Sequence, residues 1–137
     1  MNKEKAISVL IVDDHAIFRA GLRAMLEEHP DIHVVGEARN GLEAIFLVDK
    51  FRPSIVVMDI NMPKMNGIEA TAQITKSHPY TSIIGLSVDA GAGHQEAIIR
   101  AGAIRLLSKE GVGEELYDVI CKTVTNLEST KEAGCSS

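Results

Sequence analysis

The sequence predicts an α/β domain: five strand–helix units, (βα)5, building a doubly wound parallel sheet. Three observations carry this. Short unbroken runs of Ile, Val, Leu and Met recur along the chain, clearest at residues 9–12 and 55–58. Longer stretches with apolar residues three and four apart lie between them. The 137 residues, 45% hydrophobic and 24% charged, suffice for one packed core without staples. Strands buried on both faces read as continuous apolar runs, and their alternation with helices requires parallel pairing through right-handed crossovers.

The first strand, residues 9–12, ends in Asp13-Asp14. Ile17, Ala20, Gly21, Ala24 and Met25 mark the first helix, which Pro30 stops. The second strand, residues 32–36, alternates more than the first; residues 36–41 then read as a Gly/Asn turn. Leu42, Ile45, Phe46 and Val48 mark a second helix, ending near Arg52-Pro53. The third strand covers residues 55–58, and a third helix follows on Ile68, Ala72 and Ile74, ending near His78-Pro79. Residues 83–86 and 104–107 are the fourth and fifth strands, with a helix at residues 95–101 between them. Leu116, Val119, Ile120, Val124 and Leu127 mark the last helix. The domain is thus placed at residues 7–127, and residues 128–137 read as a polar tail or the start of a linker.

Composition narrows the function. The net charge of −5 argues against direct binding of nucleic acid through its phosphates. Cys121 and Cys135 make neither a disulfide framework nor a zinc pattern, which suits a reducing cytoplasm. No apolar run approaches the ~20 residues of a membrane span. Residues 7–12 are too short for a signal-peptide core, and Asp13-Asp14 stops them.

Open α/β sheets bind ligands at the carboxyl ends of their strands. Here those ends carry Asp13-Asp14, Asp59, Ser87 and Ser108-Lys109. Singly, each has a bland reading: a helix cap or turn for the acids, a strand-end hydrogen bond for Ser87, a solvated Lys109. Together they are informative. Three converging carboxylates repel one another, and a hard divalent cation relieves that repulsion. Mg2+ prefers oxygen ligands and keeps positions open for water and phosphate. Asp14 and Asp59 are the expected direct ligands, with Asp13 acting through water and the Asn61 backbone carbonyl as a further ligand. Mg2+ and a lysine both stabilise charge on a phosphoryl group in transfer. Asp59 is the candidate nucleophile for an aspartyl phosphate, with Lys109 and Ser87 contacting phosphoryl oxygens. His15, His29, His33, His78 and His94 show no ligand spacing, and His15 reads as a helix-start residue.

In this pattern the chain resembles the receiver domain of two-component response regulators, the CheY-like family. Residues 9–14 are similar to the family's first strand and acidic pair, and residues 56–67 to its phosphoacceptor strand and loop. Leu86-Ser87 resembles the switch hydroxyl, and Leu107-Ser108-Lys109 the family lysine. The resemblance covers roughly residues 7–127. It implies a flavodoxin-like strand order of 2-1-3-4-5. It also implies Mg2+-dependent phosphorylation of Asp59 by a histidine kinase or histidine phosphotransfer protein. Ser87 would then shift toward the phosphate, repacking the face of the fourth helix, fifth strand and fifth helix, which is also where a homodimer is expected. Residues 14–22 with residues 34–38 look like the NarL/FixJ subgroup, in which a receiver precedes a DNA-binding domain. A hybrid histidine kinase receiver and a single-domain regulator remain open alternatives.

Two departures stand out. Leu106 occupies the position of a family aromatic that reports phosphorylation, and Glu110 follows Lys109 where many receivers have proline. Asn61 and Asp89, each two residues past a site residue, are placed to reach a water attacking the phosphoryl group, so self-dephosphorylation is expected. Two rival functions fit the residues less well. An aspartyl-phosphate phosphohydrolase would want a second acid where Asn61 stands. A phosphorylation-independent interaction module, a pseudo-receiver, would have lost acidic or lysine positions that are all retained here.

Overall fold

The computed structural model describes residues 6–62, 65–88 and 92–136. Strands β1 (Ile7–Val12), β2 (Ile32–Ala38), β3 (Ile55–Asp59), β4 (Ser82–Ser87) and β5 (Arg105–Ser108) alternate with five helices. These are α1 (Ala16–Glu27), α2 (Gly41–Phe51), α3 (Gly67–Ser77), α4 (Ala92–Ala101) and α5 (Val112–Ser136). Every strand pairing is parallel, and the sheet order is β2-β1-β3-β4-β5, as expected. The chain first builds outward from β1 to β2 and then returns to the other side at β3. That reversal opens a crevice between the carboxyl ends of β1 and β3.

The apolar runs are unbroken because the sheet is covered on both sides. Val9, Ile11 and Val57 face a layer with Leu22, Leu26, Leu116 and Ile120. Leu10, Val56 and Met58 face the other layer, with Val48, Ile74 and Ile98. Neighbours in one strand thus enter opposite layers, as the two-residue period requires. All five residues of β3 are buried. No helix among the described residues is long and apolar enough to cross a membrane.

The structure corrects several local readings. Ile17, Ala20, Gly21 and Ala24 face solvent on α1, and Ile17 is 90% exposed. Leu22 and Leu26 are the buried residues, with Phe18 and Met25 packed beside them. Two apolar series run along this helix, and the one with larger side chains is buried because it removes more area from water. On α2, Leu42 and Phe46 are exposed while Ala44 and Val48 are buried, and on α3 Ala72 is exposed while Ala70, Thr71 and Ile74 are buried. Residues 36–38, read as part of a turn, belong to β2. The last helix does not stop near Leu127 but runs to Ser136. Residues 128–136 hold no proline, so no ring clash or missing N–H stops the helix there.

Three local features set up the crevice. Asn40 and Asn66 cap α2 and α3, their side chains accepting from Glu43 N and Glu69 N at 2.9 Å each. Gly67, the first residue of α3, lies on the Asp59 carbonyl and Ile60 Cα so closely that no β-carbon fits. At the edge of the sheet, Val9 pairs with Val34 but Leu10 pairs with Gly36, so Val35 is an extra residue in β2.

Candidate functional site

The crevice gathers side chains from four strand ends. Asp13 follows β1, Asp59 ends β3, Ser87 ends β4 and Lys109 follows β5. Asp13, Asp59 and Ser87 are all buried, with at most 1% of their surface exposed. Lys109 Nζ lies between the two acids, 2.7 Å from Asp13 Oδ2 and 3.2 Å from Asp59 Oδ2. It also sits 4.7 Å from the centre of the Phe18 ring, whose π face attracts a cation.

The opposite wall is made by Asn61 and Ser87. Asn61 N donates to Asp59 Oδ1 at 3.0 Å, which fixes the carboxylate plane. The Ser87 hydroxyl donates to Asn61 Oδ1 at 3.1 Å. Asn61 thus touches both the acid and the hydroxyl, and its backbone carbonyl is in the same turn.

Asp14 and His15 complete the rim. The Asp14 side chain is 27% exposed, and its Oδ1 is 3.2 Å from His15 Nδ1. The same ring nitrogen is 3.1 Å from Asp13 Oδ1, which also accepts from His15 N at 2.8 Å. The acids do not cap α1. His15 holds the cap position, and its side chain makes no capping hydrogen bond. The ring turns toward the carboxylates instead, a direction that sequence spacing does not report.

Arg19 and Glu37 were also invisible in the sequence as a pair. Arg19 Nη1 donates to the Asp13 carbonyl at 2.6 Å, and its Nε to Glu37 Oε1 at 2.8 Å. Arg23 Nη1 donates to Glu37 Oε2 at 2.7 Å. These hydrogen bonds from Arg23 and Arg19 hold the Glu37 carboxyl below its ordinary pKa. The network ties the loop carrying Asp13 and Asp14 to the end of β2.

The electrostatics follow from burial. Loss of water pushes the Asp59 carboxyl up to about 6; the Asn61 N–H and Lys109 oppose this, and Asp13 adds to it. Burial alone would lower the Lys109 pKa, but the ion pairs with Asp13 and Asp59 leave it above its ordinary value. One ammonium therefore balances two buried acids, and Asp14 adds a third.

The donor set fits a divalent cation. Oδ2 of Asp13, Oδ1 of Asp14 and Oδ2 of Asp59 are buried, and their negative charge is met only by Lys109 and by the rim His15. Among the described residues, Asp13, Asp14, His15 and Asp59 form a cluster whose ligand atoms all lie within 4.8 Å of one another. Carboxylate oxygens on an open rim suit a hard cation that retains water.

Two further residues named from the sequence do not enter this geometry. Leu106 is buried in the layer under α4, against Gly85, whose lack of a side chain leaves the space. Asp89 lies outside the described residues.

Comparison with known proteins agrees with this arrangement. The family described as the response regulator receiver domain matches residues 9–121. The transcriptional regulatory protein DegU of Brevibacillus brevis is 34% identical over 85% of the chain and 50% of its own length. A protein-glutamate methylesterase/protein-glutamine glutaminase of Geobacillus kaustophilus is 33% identical over 97% of the chain and 39% of its own length. The chain therefore spans half or less of these curated relatives. Among solved structures, the response regulator domain of Thermotoga maritima CheB superposes with a TM-score of 0.79 at 34% identity, covering 85% of this chain and 95% of that one.

Proposed function

Because the chain belongs to the response regulator receiver domain family, we propose that it is a phosphoacceptor switch of a two-component phosphorelay, with Asp59 as the acceptor. The observation that carries this is Lys109 Nζ, held between Asp13 and Asp59 at the base of an open acidic pocket. An Asp59 carboxylate oxygen attacks the phosphorus of a phosphohistidine on a histidine kinase or histidine phosphotransfer protein. The new P–O bond forms as the P–N bond breaks, and the imidazole leaves with the electron pair and takes a proton. Asp59 Oδ1 accepts from Asn61 N while Oδ2 faces Lys109, which supports Oδ2 as the attacking atom. Lys109 neutralises charge on the transferred group, and the Ser87 hydroxyl is at hand for another phosphoryl oxygen. Asp14, Asp59 and the Asn61 carbonyl would hold Mg2+ directly and Asp13 through water; when bound, Mg2+ supplies charge stabilisation to the phosphoryl oxygens.

The Ser87–Asn61 hydrogen bond supports a switch at this position. If Ser87 turns to the phosphoryl group, that bond is given up and β4 and Leu106 beside it repack. Ile99 on α4 and Ile104 before β5 are each 42% exposed, which supports the α4–β5–α5 face as the surface read by a partner or a second copy. The net charge of −5 supports protein partners over direct contact with nucleic acid, and the family role supports a cytoplasmic site of action. Asn61 and Asp89 are proposed to set the lifetime of the phosphoryl group: alanine at either position is expected to slow its decay.

The test is intact-mass spectrometry after incubation with acetyl phosphate, with and without Mg2+. The wild type should gain one phosphoryl group only with Mg2+, and Asp59→Asn should gain none. No gain in the wild type, with Mg2+ binding intact, would favour the phosphorylation-independent interaction module.

A further inference from the structure

His15 occupies the cap position of α1 without capping it. Its ring instead faces the acidic pocket, with Nδ1 3.1 Å from Asp13 Oδ1 and 3.2 Å from Asp14 Oδ1. Resting on the reading that this pocket takes a divalent cation, we propose that His15 Nδ1 is an additional ligand that biases the pocket toward borderline cations such as Co2+ and Zn2+ over Mg2+.

The spacing of the donors supports this. Metal–ligand bonds of about 2.1 Å at right angles place adjacent donor atoms about 3 Å apart. The two distances from His15 Nδ1 match that edge. One ligand atom each from Asp13, Asp14, His15 and Asp59 falls within a 4.8 Å span. Independently, Asp13 and Asp59 are each 99% or more buried, and their Oδ2 atoms share the single ammonium of Lys109, at 2.7 and 3.2 Å. The pocket thus has three carboxylates against one ammonium, and a nitrogen placed among them. The His15 side chain is 66% exposed, so Nδ1 reaches the pocket while the rest of the ring stays in water.

The chemistry gives the direction of the bias. Carboxylates, carbonyls and water suit Mg2+, whereas imidazole nitrogen suits the later first-row cations and zinc. A pocket of oxygen ligands alone gives Mg2+ its best case. Adding Nδ1 strengthens the binding of Co2+ and Zn2+ and leaves Mg2+, which has little use for nitrogen, where it was.

The test is calorimetric titration of the whole chain with Mg2+ alone and with Co2+ alone, for wild type, His15→Ala and Asp59→Asn, with circular dichroism to check each fold. His15→Ala should lose about tenfold or more in Co2+ affinity relative to any change in its Mg2+ affinity, a size typical of lost metal-site partners. Equal change for both cations, or for neither, overturns the proposal, as does Co2+ binding that survives unchanged in Asp59→Asn. A second readout needs no variant. Co2+ should broaden the His15 imidazole nitrogen resonance in the wild type and excess Mg2+ should restore it; a resonance indifferent to Co2+ overturns the proposal. Failure of Mg2+ to bind the wild type would defeat the phosphoacceptor reading itself. Mg2+ binding without a His15-dependent preference for Co2+ would defeat this inference alone.

Discussion

The two ends of the sheet are made from the same five strands and treat polar groups in opposite ways. At the amino end, Ile7 N donates to the Asp31 carbonyl at 2.8 Å and Ser54 N to the Ser8 carbonyl at 3.0 Å. Thr81 Oγ1 there donates to the Pro53 carbonyl at 3.0 Å. At the carboxyl end, three carboxylates meet one ammonium, so buried negative charge is left in excess. Burying charge that is not fully paired costs free energy. The amino end therefore contributes stability, and the carboxyl end gives some up in return for a place where a cation and a phosphoryl group are welcome.

That contrast breaks most severely through the backbone. In Gly67→Ala a β-carbon would meet the Asp59 carbonyl and Ile60 Cα, neither of which can yield without moving the end of β3. A loss of about 3 kcal/mol or more is expected in urea unfolding, together with weakened Mg2+ binding in any folded fraction. A stable variant with wild-type Mg2+ affinity would show that this junction is not rigid.

The next effect isolates the buried charge. The Asp59 carboxyl titrates at about 6 in the folded chain against an ordinary 3.8. The folded state therefore holds the proton more tightly than the unfolded state. Stability from this group falls as pH rises from about 4, and the loss is complete above about 6. It amounts to no more than about 3 kcal/mol. Glu37 and Glu43, both held below their ordinary pKa, act in the opposite sense and lose their contribution as pH falls through the acid range. The comparison of wild type with Asp59→Asn, metal-free, separates these. The two should be similar in stability at pH 4, and the variant should be the more stable at pH 7.5. Thermal unfolding at both pH values reads this; equal stability at pH 7.5 would mean that the carboxylate is not strained by its burial.

The smallest effect tests the other end. Thr81→Val removes the hydroxyl that satisfies the Pro53 carbonyl. About 1 kcal/mol of stability should go, with phosphoryl gain from acetyl phosphate and Mg2+ affinity both unchanged. A change in either would show that the two ends are coupled.

Much of this was legible in the sequence because burial on both faces leaves no doubt about a strand. Residues 9–12 and 55–58 lie inside β1 and β3, and the polar residues at their ends converge as parallel pairing demands. What was not legible depends on quantities that spacing does not carry. On α1, periodicity alone does not separate Ile17, Ala20, Gly21 and Ala24 from Phe18, Leu22, Met25 and Leu26; side-chain size and the direction of the preceding loop decide. The orientation of the His15 ring depends on two carboxylates whose positions are fixed only once the loop is built. The Arg19–Glu37 pair joins residues 18 apart in the chain, which no local pattern reports.

The extra residue at Val35 has a consequence of its own. β2 lies at an open margin of the sheet, beside β1 only. A sheet margin is a template on which another extended chain can add itself, and the outcome is fibrillar association. At Val35 the ladder slips by one residue, so the alternation of side chains above and below the sheet is out of phase on either side of it. A straight strand arriving from another molecule can match one half of this margin but not both. The same irregularity that fits β2 to β1 thus discourages a stranger from fitting to β2, and keeps a concentrated population of these molecules from zipping together.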